Sequence, residues 1–196
     1  MTVQPLAPED QARANFYALL ARLFYAPPDR QLLDTLAAAG ALDAAASGLP
    51  LASSWQELTR AAAHADAEAV REEYETVFVG TGKAEVTLYT SAYRAAERLR
   101  NPLVDIREFL ARHAFVRRSD VFEPEDHIAA LCEVMRHLVI QGDTAAQRDF
   151  FYAFVWPAAV ELCGAILEHP RVAFYRNAAG LAKLFFEVEH AAFEMD

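Results

Sequence analysis

The segment EPEDH places three carboxylates and a histidine within five residues, directly before an apolar helical pattern. Such a group could cap a helix, take part in catalysis, or bind something basic. The pattern predicts a helix with Glu123 near its N-cap and Pro124 at its first position. Glu125 and Asp126 would then lie in the first turn, where acids gain about 0.3 to 1 kcal/mol from the helix dipole. Capping explains the acids but not His127, whose protonated form is disfavoured there.

The histidine and the aspartate before it allow two interpretations. His127 lies at the border of the apolar face of the predicted helix, where a histidine next to an aspartate is most often hydrogen-bonded as part of packing. Adjacent residues diverge on a helix, so Asp126 and His127 could instead offer two polar groups to a ligand. Packing and recognition both remain open from these residues alone.

Aromatic residues form the second unusual feature. One apolar stripe at helical spacing is followed, beyond a glycine-rich turn, by a loop with tyrosines. The stripe consists of Tyr74, Val77 and Phe78, and the loop contains Tyr89, Ser91 and Tyr93. A stripe of this kind usually packs in a core. Tyrosines beside a turn also suit a peptide groove, because each offers a large apolar area with a hydroxyl at its tip.

The sequence lacks the parts of common catalytic sites. A di-iron bundle needs two Glu-x-x-His helices, and only Glu187 with His190 has that spacing. Nucleophile elbows, phosphate-binding Gly-Lys-Ser/Thr loops and HExxH motifs do not occur. Gly80 and Gly82 lack the third glycine and the preceding strand of a dinucleotide-binding fold, so they predict a turn. We therefore expect neither catalysis nor a metal ion.

The charge balance limits the partners. Lys and Arg total 18 against 28 Asp and Glu, a net charge of -10, which disfavours nucleic acid and anionic membranes and favours cationic partners. The N-terminus has no signal-peptide pattern, and no stretch reaches about eighteen apolar residues without charge, which predicts a soluble, cytoplasmic protein. Cys132 and Cys163 lie in apolar helical patterns without metal or redox spacing, so we expect buried thiols.

Helical periodicity runs through almost the whole chain, and no strand candidate is found. The prediction is an all-α protein, a single domain over residues 1–196, built as a bundle of about nine helices. Pro157 lies inside one helical pattern and should kink it. The predicted helices span roughly residues 8–26, 28–39, 53–65, 66–78, 92–99, 102–114, 124–140, 144–169 and 172–193, with a loop at 80–92 and an irregular segment at 117–122.

Several segments together resemble one known family, the TorD/DmsD-like redox-enzyme maturation chaperones, which assist the assembly of molybdenum-containing oxidoreductases. The segments occur in the family's order over nearly the whole chain, and the Glu-Pro-x-Asp-His element is specific. They are LLARLFYAPPD at 19–29, YETVFVG at 74–80, LYTSAY at 88–93, EPEDH at 123–127, and the tail from Trp156-Pro157 through EHPRVAFYRNAAGLAKLF.

The resemblance implies an all-helical, non-enzymatic chaperone of the cytoplasm. Such a protein binds the twin-arginine signal peptide and the apoprotein of a molybdenum-cofactor oxidoreductase, and holds them until the cofactor is inserted and before export. The molybdenum cofactor belongs to the client, so this chain is expected to hold none. Some relatives bind guanine nucleotide or form domain-swapped dimers. No residue pattern here supports either, and we expect a monomer without stable membrane insertion.

The resemblance also implies which parts of the chain bind the leader peptide: aromatics of the Tyr74 to Phe78 type, the loop at 88–93, and the pair Asp126 and His127. A twin-arginine leader has a basic end followed by an apolar stretch. Its receptor therefore needs carboxylates beside an apolar groove.

We predict that Glu123, Glu125 and Asp126 meet the arginines of the leader. The apolar part of the peptide would contact Tyr74, Val77, Phe78, Tyr89 and Tyr93, with Ser91 and His127 also in the site. The alternative is an acidic helical adaptor that binds another folded protein rather than a signal peptide.

Overall fold

The computed structural model describes residues 6–40, 50–94, 101–116 and 123–195. Within those ranges the chain is helical, and the only β-type pairing is an isolated antiparallel bridge between Tyr89 and His127. The all-α prediction is therefore confirmed. The helices are α1 (Pro8–Tyr25), α2 (Arg30–Gly40), α3 (Pro50–His64), α4 (Ala67–Tyr74), α5 (Pro102–Arg112), α6 (Ile128–Gln141), α7 (Thr144–Phe150), α8 (Trp156–Glu168) and α9 (Phe174–Met195).

Local capping signals set several of these helix ends. The side chains of Asn101 and Asp143 each accept a backbone N–H of the following helix at 3.0 Å, as these residue types commonly do at an N-cap. Helix α3 begins at Pro50, three residues before the predicted start at 53. Proline suits a first helical position, since its fixed φ is already helical and its missing N–H would have no partner there.

The predicted loop at 80–92 contains the expected turn. Gly80 and Gly82 have φ values of 64° and 101°, a region that favours glycine. One 3₁₀ turn, Thr90–Tyr93, follows. The predicted helix at 92–99 lies for the most part outside the described residues, and the irregular segment at 117–122 lies wholly outside them.

Contacts along the chain divide it into two compact units. The first comprises Met1–Tyr25 and Tyr89–Ala158, and the second comprises Ala26–Leu88 and Ala159–Asp196. Each unit is assembled from two separate parts of the chain. The single-domain interpretation of residues 1–196 stays a prediction.

The first unit is centred on the packing of α1 against α6. Both helices bury apolar side chains at helical spacing, as Leu20 and Phe24 show in α1, and Leu131 and Met135 show in α6. A buried amide supports this arrangement. Gln147 of α7 accepts a hydrogen bond from Arg13 of α1 at 2.9 Å and donates to a carbonyl of α6 at 3.2 Å.

The second unit packs α3 against both α2 and α9. The N-terminus of α9 is capped from α4, because the Glu73 carboxylate accepts the backbone N–H groups of Phe174 and Tyr175 at 3.1 and 2.8 Å. This contact satisfies donors that a helix start leaves without an intrahelical partner. Helix α2 ends at Gly40, where a Cβ atom would lie 2.3 Å from Oγ1 of Thr59 on α3.

A π-helical turn, Phe151–Val155, stands directly before Trp156 and Pro157. Proline cannot donate a backbone hydrogen bond, and its ring crowds the carbonyl four residues earlier. A local π turn is one way for a helix to absorb such a change of pattern. The interruption predicted at Pro157 is thus found in the hydrogen bonding just before it, while the bend itself stays a prediction.

The helical run Thr144–Glu168 is strongly apolar, above all in one stretch of 18 residues. In the described part of the chain, it is the one helix long and apolar enough to cross a membrane. Half of that stretch is buried inside the structure. A helix in the core of a soluble protein is equally apolar, because it is buried. The expected lack of membrane insertion stays a prediction.

Both cysteines are free and buried, as predicted. Burial raises the pKa of the Cys163 thiol to about 12. At neutral pH this thiol is therefore protonated and unreactive.

Candidate functional site

Helix α6 begins at Ile128 rather than at Pro124. His127 is its N-cap residue, with extended backbone angles of −67° and 134°, and Nδ1 of its ring accepts the N–H of Ala129 at 3.2 Å. The acids of EPEDH therefore precede the helix, and the prediction that they occupy its first turn is wrong. We refer to residues 123–127 as the 123–127 turn.

Tertiary hydrogen bonds explain the later start of α6. The carbonyl of Asp126 accepts both the N–H and the hydroxyl of Thr90, each at 2.9 Å. In a helix that carbonyl would instead accept the N–H four residues further along. The N–H of His127 donates to the carbonyl of Pro124 at 3.1 Å, which closes the turn, and His127 pairs with Tyr89 in the isolated bridge.

Tyr89 connects both ends of the 123–127 turn. Its hydroxyl donates a short hydrogen bond to the carboxylate of Glu123. Its ring meets the imidazole of His127 edge to face, with 5.2 Å between ring centroids. The structure thus brings together three residues that the sequence analysis places in one site.

The protonation states of this group follow from burial. Desolvation, and then the hydrogen bond to Glu123, raise the pKa of Tyr89 to about 12, so its phenol remains a donor at neutral pH. Burial lowers the pKa of His127, and the charges of Glu123 and Asp126 only partly oppose this. His127 is therefore neutral at pH 7. Because Nδ1 accepts a hydrogen bond, the ring proton is on Nε2.

The three acids of the 123–127 turn differ in their partners. Glu123 accepts from Tyr89, and Glu125 forms an ion pair with Arg107 of α5 at 3.0 Å. Asp126 is 6% exposed, and the hydrogen bonds found for it in the described ranges are made to its backbone carbonyl rather than to its carboxylate. Buried carboxylates usually accept hydrogen bonds. Asp126 is therefore the acid with acceptor capacity left for a ligand.

Ser91 and Tyr93 follow Thr90 in the 3₁₀ turn, and both are partly exposed. The hydroxyl oxygen of Ser91 is buried, and it has no hydrogen-bond partner among the residues that the structure describes. The loop half of the predicted site therefore belongs to the same unit as the 123–127 turn.

The aromatic stripe belongs to the second unit. Tyr74, Val77 and Phe78 are buried, with at most 7% of each residue exposed. Tyr175 of α9 packs against both rings, with centroid distances of 5.6 Å to Tyr74 and 4.9 Å to Phe78. A π-helical turn, Glu75–Val79, carries two of these residues. The structure thus places the stripe in a packed interior, and its part in peptide binding stays a prediction.

The sequence analysis did not identify Thr90, Arg107 or Tyr175, which contact residues of the predicted site. Thr90 stands inside the segment LYTSAY, so its position could have been found there. Arg107 lies 18 residues before its partner Glu125, and Tyr175 lies in another helix than the stripe it contacts. Local patterns do not reveal such pairs, because they are made by the folded chain.

Within the described ranges, no group of three or more His, Cys, Asp or Glu side chains could hold a metal ion. The one Glu-x-x-His pair is engaged on the surface of α9. Glu187 forms an ion pair with Lys183 at 2.5 Å, and His190 lies 3.8 Å from Glu194.

Comparison with known proteins agrees with the motifs. A sequence model of the family described as nitrate reductase delta subunit matches residues 44–163, more than half of the chain. The match includes both the Tyr89 loop and the 123–127 turn.

Individual proteins are also similar to this chain. The chaperone protein TorD of Aliivibrio fischeri is 26% identical over 128 residues, which are 57% of this chain and 58% of that protein. The aligned region thus spans little more than half of this curated relative. A crystal structure of a proposed redox enzyme maturation protein from Archaeoglobus fulgidus superimposes with a TM-score of 0.56 and 18% identity, over 89% of this chain and 93% of that one.

The structural likeness shows the fold, and the family match shows the relationship. The sequence-based resemblance is thereby confirmed. The chain belongs to the nitrate reductase delta subunit family, the family of the TorD-like proteins.

Proposed function

We propose that this protein is a chaperone of redox-enzyme maturation that binds the twin-arginine signal peptide of a molybdenum-cofactor oxidoreductase. In this proposal it acts in the cytoplasm as a monomer and catalyses no reaction. It holds the apoprotein until the cofactor is inserted and releases it before export. Family membership and the similarity to a TorD chaperone support the class of function, and the 123–127 turn supports the ligand.

The observation that carries the proposal is the Asp126 carboxylate. The residue is 6% exposed, and the hydrogen bonds found for it in the described ranges use its backbone carbonyl, which leaves the carboxylate to accept from a ligand. A guanidinium satisfies a carboxylate with two parallel, charge-assisted hydrogen bonds. The arginine pair of a leader peptide supplies that group, and a net charge of -10 favours its approach.

His127 supplies the complementary hydrogen bond. Its Nδ1 is used by the N-cap contact to Ala129, so Nε2–H is the donor that remains. A backbone carbonyl of an extended peptide would accept this proton. Asp126 would thus accept hydrogen bonds from an arginine side chain of the peptide. The adjacent His127 would donate one to a neighbouring peptide carbonyl.

Affinity has to come mainly from apolar burial. Exposed ion pairs contribute only about 0 to 1 kcal/mol each, whereas buried apolar surface contributes about 25 cal/mol per Å². The partly exposed rings of Tyr89 and Tyr93 are apolar surface of the first unit. The acids therefore provide specificity for arginine, and the apolar stretch of the leader provides most of the binding energy.

Asp126→Asn tests the proposal directly. We expect it to weaken binding of a synthetic peptide with two consecutive arginines and an apolar segment by roughly tenfold or more, because hydrogen bonds to charged groups contribute about 1.5–3 kcal/mol. Isothermal titration calorimetry measures this affinity. Helix content and thermal unfolding should show that the variant is folded.

The matched control is Glu133→Gln. Like Asp126→Asn, it removes one negative charge, but from the middle of α6. Glu133 pairs with Arg136 at 3.2 Å outside the 123–127 turn, so its loss should leave peptide affinity within about twofold. Equal affinities of wild type, Asp126→Asn and Glu133→Gln would contradict the proposal. A wild type that ignores isolated leaders but binds a folded client would favour the adaptor alternative.

A further inference from the structure

A guanidinium already occupies part of the proposed arginine site. Both Nε and Nη2 of Arg107 contact the same oxygen of Glu125, at 3.1 and 3.0 Å. Glu125 belongs to the 123–127 turn, and Arg107 lies on α5 in the same unit. The protein thus makes with its own side chain the kind of contact that an arginine of the peptide would make.

We propose that Arg107 is an intramolecular competitor that occupies Glu125 until an arginine of the bound peptide replaces it. This inference rests on the proposed function, because it assigns a second arginine contact of the same site. One arginine of the pair is received by Asp126 and the other exchanges with Arg107 at Glu125. Arg107 therefore sets the affinity of the site and restricts it to ligands with two adjacent cations.

Exposure indicates that this contact can exchange. The Arg107 side chain is 56% exposed, whereas that of Glu125 is 16% exposed. The carboxylate is therefore held in the fold while its partner projects into solvent. Exposed ion pairs are weak, and an arginine side chain has many alternative rotamers in water. Displacing Arg107 removes a small stabilisation and leaves its charge fully hydrated.

The contact of Glu123 has a different character. Tyr89 donates to Glu123 from a partly buried position and also packs on His127. Displacing its hydroxyl would disturb the ring contact and the bridge to α6. Compared with the Tyr89 contact to Glu123, the Arg107 contact to Glu125 is therefore the one that a peptide can replace without changing the turn.

Arg107→Gln tests this inference with the synthetic two-arginine peptide. We expect the variant to bind about two- to fivefold more tightly than wild type, the range that corresponds to the loss of one exposed ion pair. The same peptide with both arginines replaced by glutamine should show no gain, because it has no guanidinium for Glu125.

Two further variants separate competition from a change in net charge. Arg136→Gln removes the same charge from the same unit, and its partner Glu133 lies outside the site, so its affinity should stay near that of wild type. Adding Glu125→Gln to Arg107→Gln should abolish the gain, since the negative charge that attracts the guanidinium of the peptide is then lost.

Each outcome decides the inference. An Arg107→Gln affinity equal to or weaker than that of Arg136→Gln overturns it, and so does a gain that persists with the glutamine peptide. If Asp126→Asn weakens binding but Arg107→Gln gives no gain, the proposed function stands and only the competitor role fails. If wild type binds no leader peptide, both fail together.

Discussion

At the scale of single residues, the 123–127 turn depends on a neutral histidine. The lone pair of Nδ1 on His127 caps α6 by accepting the N–H of Ala129. A proton on Nδ1 would remove this acceptor and place a positive charge at the positive end of the helix dipole. The same residue that offers a donor to the proposed ligand thus also defines where α6 begins.

We expect this histidine to make stability depend on pH. Burial holds the folded pKa of His127 below the ordinary value of a histidine, so the unfolded chain binds the proton more tightly. The contribution is fully present above about pH 6.5 and is lost as pH falls through the lower folded pKa. Urea unfolding between about pH 7.5 and 5 measures the loss.

His127→Asn isolates this contribution. Asparagine is a good N-cap residue and does not titrate, so the variant should lose less stability than wild type over the same pH range. Curves for wild type and His127→Asn that run parallel from neutral to acidic pH would show that the cap does not respond to protonation.

At the scale of elements, close approach of helices limits which residues are tolerated. Gly40 ends α2 against Thr59 of α3, where an added Cβ would lie 2.3 Å from Oγ1. Gly164 lies inside α8 with no atom near the position of an added Cβ. Space for a Cβ atom is therefore lacking at Gly40 and present at Gly164.

Alanine at these two positions should have opposite effects. We expect Gly40→Ala to destabilise the protein by about 1–3 kcal/mol, because buried Thr59 must move to make room. Gly164→Ala should stabilise it by roughly 0.5–1 kcal/mol, since alanine has the higher helix propensity and meets no neighbour. Denaturant unfolding compares them, and a stabilising Gly40→Ala would contradict the close approach of α2 and α3.

At the scale of the whole molecule, the net charge affects how fast a basic peptide meets the protein more than how tightly it binds. A net charge of -10 attracts a basic leader over a distance that salt shortens to about 8–10 Å under ordinary conditions. The apolar part of the binding energy does not depend on this screening.

Peptide binding should therefore weaken modestly with salt. We expect affinity for the two-arginine peptide to fall severalfold between roughly 50 and 500 mM salt, with the remainder carried by apolar contacts. Calorimetry at several salt concentrations measures this change. An affinity that stays constant over the range would argue against contact with the acids of the 123–127 turn.

The sequence by itself determined what depends on neighbouring residues. Its periodicity specified an all-α chain, Asn101 and Asp143 specified two helix starts, and the left-handed Gly142 (φ 71°) specified the end of α6. These signals act within one helical turn, so they can be read without the fold. The order of the motifs, including the 123–127 turn, was sufficient to identify the family.

Only the tertiary structure decided which of these groups are available to a ligand. Thr90 donates hydrogen bonds to the carbonyl of Asp126, so α6 begins only at Ile128. Arg107 pairs with Glu125, and Tyr175 packs against the predicted aromatic stripe. Each of these contacts joins residues that are distant along the chain, and each competes with a local preference worth about 1 kcal/mol or less. The helical character of the chain and the starts of α5 and α7 follow from local patterns, whereas the start of α6 and the availability of its neighbouring acids to a ligand follow from contacts that exist only in the folded protein.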